Sequence, residues 1–231
     1  MLLAVVVTVA MAKAQQPSEP ARCVVDRADA PTTSGTEREQ LTRQDERALL
    51  QCLSRLKGLA SQKDDSVNLT LLNGRAITLQ GNPKACRRDD TRRCKRYSLI
   101  AYYPAQQVFV VAVSYYEDRQ FALVSRRAGQ ITMMDAEPHF SPSGKRFVSV
   151  APNDAYVQDI KDLEVFAFNA GESRLEWTYQ NKERSEVLRF AGWDGDDTIK
   201  LRLTRSGFAA KEFDALAVRS RYGWELKKPA Q

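Results

Sequence analysis

From Ser66 onward, apolar side chains recur at every second position, and that period excludes most of what a chain of 231 residues could otherwise become. Val67, Leu69 and Leu71 alternate with polar neighbours; Asn73-Gly74 then supplies the positive-φ pair of a tight hairpin turn, and residues 76–79 return. Further strands are expected at 97–103, 107–116, 119–126, 130–135, 146–150, 163–168, 174–180, 186–192, 198–204, 211–219 and 222–227. The alternation is cleanest where Leu175, Trp177 and Tyr179 oppose Glu176, Thr178 and Gln180, and where Ile199, Leu201 and Leu203 oppose Lys200, Arg202 and Thr204. Such strands bury one face and wet the other. No helical stretch separates them, so parallel crossover units are excluded and an all-β, antiparallel fold remains.

Ahead of that region stands the one helix the sequence predicts, over 42–58, with Leu41, Ala48, Leu49, Cys52, Leu53 and Leu56 on a single stripe. Thr42 is its expected N-cap. Asp45 and Glu46 oppose the dipole in the first turn, Arg55 and Lys57 stand near the end, and Gly58 closes it. Residues 1–14 combine an apolar run of about 12 residues with small residues at its end, the pattern of a secretory signal peptide and too short to span a bilayer. Residues 15–41 read as an extended leader and 42–231 as a single β domain, periplasmic or secreted. An exported chain with four cysteines is expected to hold two disulfides. Of three possible pairings, Cys86 with Cys94 encloses only seven residues and closes most easily, which leaves Cys23 with Cys52. No Cys or His pair has zinc-ligand spacing and His139 is the sole histidine, so no metal or other cofactor is expected.

Three units of about 40 residues, 97–135, 137–180 and 186–228, each hold four short strands, a propeller-blade period. In the middle unit, His139-Phe140-Ser141-Pro142-Ser143-Gly144-Lys145-Arg146-Phe147-Val148 resembles the Phe-Ser-Pro-Asp-Gly-Lys stretch that joins the first two strands of a blade in WD-repeat-like and Tol-type periplasmic β-propellers. Phe190-Ala-Gly-Trp193-Asp-Gly195 occupies the same place in the last unit. The resemblance implies propeller-like blades, three plus the hairpin at 66–80. A twisted antiparallel β-sandwich with the helix on one edge is the alternative.

Charge directs the functional reading. Residues 84–96 carry seven Lys and Arg against Asp89 and Asp90, so this stretch holds five of the formal net charge of +6, and Lys13 of the expected signal segment holds the sixth. Concentrated on one disulfide-closed loop, that charge attracts an anionic partner better than the same charge spread evenly. The expectation is a non-catalytic binding module, with Arg87, Arg88, Arg92 and Arg93 attracting an acidic protein or an anionic envelope polymer and Tyr102, Tyr103 or Tyr116 adding contact area. An inhibitor or immunity protein is one version. Nucleic acid is disfavoured because no stacking platform accompanies the cations. Tyr115 and Tyr116 cannot both face inward on a regular strand, so one is expected at the surface. The competing expectation is a hydrolase using His139 with Asp194, Asp196 or Asp197. No constrained nucleophile motif, phosphate-binding glycine loop or dinucleotide fingerprint supports it.

Overall fold

The computed structural model describes residues 20–23, 46–116, 118–152, 160–181, 186–205 and 211–229. Residues 1–19 and 24–45, which include the expected signal segment, most of the leader and Thr42, lie outside them. Along the chain come β1 (Ala21–Arg22), a helix described over 46–55 (α1), β2 (Ala60–Lys63), β3 (Ser66–Thr70), β4 (Ala76–Leu79) and a short helix, α2 (Pro83–Arg87). There follow β5 (Arg96–Tyr103), β6 (Val108–Ser114), β7 (Arg119–Ser125) and β8 (Ile131–Met134), then β9 (Pro138–Phe140), β10 (Arg146–Val150), β11 (Leu163–Asn169) and β12 (Glu172–Tyr179). The last four are β13 (Glu186–Asp194), β14 (Thr198–Arg205), β15 (Lys211–Ser220) and β16 (Gly223–Lys227).

Among the described residues these strands make four antiparallel sheets, none closed into a barrel: β2-β3-β4, β1-β5-β6-β7-β8, β9 to β12 and β13 to β16. Each of the three units read from the sequence contains one four-strand meander. A two-sheet sandwich is ruled out, because three separate apolar cores lie between four sheets. Strand β6 shows why. Phe109, Val111 and Val113 enter the core shared with the first sheet, while Val108, Val110 and Ala112 enter the core shared with the third. Its near-continuous apolar run is the signature of a strand buried on both faces. The expectation of one wet face therefore fails for the second and third sheets and holds for the outer two. There, Ser61, Lys63, Asn68 and Thr78 of the first sheet and Arg189, Lys200, Arg202 and Asp214 of the fourth face solvent.

A bulge overturns the cleanest alternation. Val165 pairs with Trp177 and Phe166 with Leu175, so Glu176 is the extra residue on β12. Bulges re-aim side chains. Leu175 is left 44% exposed, and Glu176 turns towards the fourth sheet with its side chain 11% exposed.

Both expected disulfides are present, Cys23–Cys52 and Cys86–Cys94. They suit an oxidising compartment, and no described helix is long and apolar enough to cross a membrane. The first disulfide ties the described part of the leader to α1, and Ala21 and Arg22 add an edge strand against Tyr102 and Ala101. Strands β1, β2 and β9 and helix α2 were not anticipated. α2 has a local cause: Asn82 caps it by accepting from the Ala85 N–H at 3.2 Å, and Pro83 begins it with φ already fixed.

Candidate functional site

The basic loop grows directly out of β4. Its base is closed by the Asn82 N–H donating to the Lys95 carbonyl at 2.7 Å and by the Cys86–Cys94 bond. Within it, the Asp90 carbonyl accepts from the N–H of Arg93 at 3.1 Å and of Cys94 at 2.8 Å, while Ala85 and Cys86 are buried beneath. Gly81 is the pivot. Its N–H donates to Ser66 Oγ at 3.0 Å, and a Cβ there would stand 2.9 Å from the Asp65 carbonyl carbon and nearer still to its oxygen. Gly81→Ala is therefore expected to lift the loop base off the β2–β3 turn and cost about 1–3 kcal/mol, the usual range for overpacking. Thermal unfolding measures the loss, and hydrogen exchange at residues 82–95 should accelerate with it.

The cations on this frame are poorly neutralised. Arg93 reaches Asp90 at 3.8 Å and Arg96 reaches Asp65 at 3.9 Å, both near solvent and worth little. Arg87, Arg88 and Arg92 are exposed and have no ion pair among the described residues. Lys95 lies over the rings of Tyr97 at 5.7 Å and Tyr115 at 5.3 Å. Slight burial pulls its pKa down, but the hydrogen bond and field of Tyr97, seconded by Tyr115, leave it raised.

Of the three tyrosines singled out, the structure brings one to the loop. Tyr116 is 46% exposed and its hydroxyl lies 3.4 Å from Asp89 Oδ1. Tyr102 is buried at 5% exposure, donating to Gln107 Oε1 at 2.9 Å and accepting from Arg126 Nη1 at 3.1 Å. Tyr103 is half-buried against Phe140 and donates to the Pro138 carbonyl at 3.2 Å. Burial, and after it the charge of Glu137, pushes its pKa up to about 12 against the opposing pull of Arg22. Both sit at the far end of β5, roughly 20 Å from Arg96 at the strand rise per residue, so neither can share a contact patch with the loop. The sequence placed them close to the loop because it shows separation along the chain and not direction along a strand.

Of the residues of the hydrolase reading, His139, Asp196 and Asp197 join the third and fourth sheets, while Asp194 pairs within the fourth. The His139 ring stacks on Phe190 with centroids 4.0 Å apart, and its carbonyl accepts from Trp193 Nε1 at 3.1 Å. Asp196 accepts from the Ser143 N–H at 3.2 Å. Burial works against its charged form, but hydrogen bonds from Ser143 and Ser141 outweigh that and hold its pKa low. Asp197 bonds Arg146 at 3.2 Å and Arg219 at 3.5 Å, and Asp194 pairs with Lys200 at 3.5 Å. Glu176 completes this network, which no sequence motif announced.

Two carboxylates on the third sheet also escaped the sequence reading. Glu164 and Asp162 are almost wholly buried, and that burial raises the pKa of both, against hydrogen bonds from the Asp135 and Asn181 N–H groups respectively. A polar residue within an apolar strand was the available signal for Glu164. No protein-family model, curated protein sequence or solved structure matches this chain.

Proposed function

We propose that this protein is an exported, periplasmic or secreted, non-catalytic module that binds an acidic protein surface through the loop closed by Cys86–Cys94, as an inhibitor or immunity protein does. One observation carries the reading: Arg87, Arg88 and Arg92 are exposed and have no ion pair among the described residues, on a loop cross-linked at its base. Guanidinium groups meet carboxylates in a planar, two-pronged geometry that Lys does not reproduce. A loop held closed before binding also loses little freedom on docking. Tyr116 adds an aromatic contact at the rim, the residue type that anchors many interfaces.

The test replaces Arg87, Arg88, Arg92 and Arg93 with Glu and measures capture of partners from the exported fraction across a salt series. Capture by the wild-type protein should fall steeply with salt. The variant should capture about tenfold less at low salt, each tenfold being about 1.4 kcal/mol, and should respond weakly to salt. Equal capture of the same partners by both proteins would overturn the reading.

A further inference from the structure

The first sheet has three strands and the second, with which it shares a core, has five, so the first stops short and leaves a step. β4 pairs only with β3, so its other edge is open among the described residues. The register shows what that edge presents. Leu71 donates its N–H to the Arg75 carbonyl at 2.8 Å, which makes those two a bonded pair. Bonded and non-bonded pairs alternate along an antiparallel ladder, so Leu69–Ile77 and Val67–Leu79 are bonded while Thr70–Ala76 and Asn68–Thr78 are not. Ala76 and Thr78 therefore turn their N–H and C=O groups away from β3. Thr70 agrees in phase, since its own N–H goes the opposite way, to the Leu59 carbonyl at 2.8 Å.

Edge strands are commonly guarded by Lys, Pro or a bulge. β4 reads Ala-Ile-Thr-Leu and has none of these. The second sheet continues past it as β8, also uncharged, and Ile131 and Met133 pair with Val124 and Ala122 of the first core. They thus face the layer that β4 leaves unfinished, and they are 43% and 41% exposed. Ile77 lies against the β7–β8 turn, where a Cβ on Gly129 would be 3.8 Å from Ile77 Cδ1, so open edge and open floor adjoin.

We infer that this step receives one extended segment of the partner protein, bonded through its backbone to Ala76 and Thr78 and seating alternate apolar side chains on Ile131 and Met133. A row of outward N–H and C=O groups is matched by another extended backbone, which would add one strand spacing, about 4.8 Å, to the shorter sheet. All described pairings are antiparallel. The segment accordingly runs opposite to β4. β4 leads into α2, so the segment's N-terminal end meets Lys84, Arg87 and Arg88 and is acidic. Only that acidic end rests on the function proposed above.

The probe is a fluorescent peptide, Glu-Glu-Glu-Gly-Val-Thr-Val-Thr-Val, titrated by anisotropy against the full chain, with hydrogen exchange read at Ala76 and Thr78. Binding should protect both amides. Thr78→Pro, which removes an outward donor, and the double variant Ile131→Asn with Met133→Asn, at sites already exposed, should each bind about tenfold more weakly, as for one unmade hydrogen bond or one lost apolar contact. No binding, no protection, or unchanged affinity in both variants would overturn the inference. Loss in those variants with indifference to Arg87→Glu and Arg88→Glu would uphold the step and overturn the basic-loop reading. The converse pattern would uphold the loop and overturn the step.

Discussion

Glu176→Ala is expected to destabilise the protein by about 3–5 kcal/mol, the cost of two lost hydrogen bonds to a charged group in a part-buried network. Glu176 Oε2 accepts from Arg146 Nε at 3.0 Å and from Trp224 Nε1 at 3.0 Å, with Arg219 Nε at 3.9 Å. The alanine variant leaves Arg146, only 15% exposed, with Asp197 as its remaining carboxylate partner, and leaves the half-buried Trp224 indole N–H without its acceptor. Urea unfolding followed by tryptophan fluorescence measures the loss, since Trp177 and Trp224 belong to the core between the third and fourth sheets. The effect depends on pH with a definite sign. Burial favours the protonated acid, but the hydrogen bonds from Trp224 and Arg146 and the charges of Arg146 and Arg219 outweigh it and hold the pKa below its ordinary value of 4.5. A depressed carboxylate contributes stability that is complete above the unfolded value and lost as pH falls through the folded one. The gap between wild type and Glu176→Gln should therefore be full at neutral pH and shrink below about pH 4.5, the unfolded carboxylate region. A gap that stays constant down to pH 3 would sink this account.

Phe147→Ala is expected to cost about 3–5 kcal/mol, the range for deleting a buried aromatic ring. Phe147 is fully buried on β10 and stacks on Phe166 with centroids 4.7 Å apart, with Phe140 at 5.3 Å and Phe168 at 6.2 Å. These rings fill the core between the second and third sheets, so their loss loosens the middle of the stack. For a chain of this size the melting temperature should fall by about 6–20 °C, at roughly 2–4 °C per kcal/mol. Phe147→Leu, which keeps most of the volume, should recover much of it. A melting temperature within a degree or two of wild type would show that this core does not bear on stability as described.

The strands were legible to within a residue or two where alternation and turn residues agreed, as at Ile199–Leu203 and on either side of Gly74; of the expected positive-φ pair Asn73-Gly74 only Gly74 has positive φ, while Asn73 accepts from the Arg75 N–H through its side chain. Strand β9 and the edge strand β1 were not, because three residues and two residues are too few to display a period. Each exists through a partner distant in sequence, β9 through β10 and β1 through β5. Helix α2 lacked an amphipathic repeat at five residues, although Asn82-Pro83 marked its start. In the candidate site the Arg cluster was plain as composition, whereas the assignment of Tyr102 and Tyr103 failed on direction. They leave β5 at the end opposite the loop, and the Tyr102 hydroxyl is engaged by Gln107 and by Arg126, a residue 8% exposed whose described partners are all uncharged.

Periodicity, turn chemistry, loop closure between cysteines and the crowding of cations into 84–96 are properties of neighbouring residues, and they were enough to establish an all-β antiparallel chain, its two cystines and its one strongly basic loop. How the sheets stack is settled by contacts between segments many residues apart. A single inserted residue in a strand reverses which side chains face inward, and so the stacking alone decided that Glu176 is half-buried and Leu175 exposed, that Tyr116 rather than Tyr102 stands at the loop, and that Ile131 and Met133 lie exposed beside the edge of β4 that no described strand pairs.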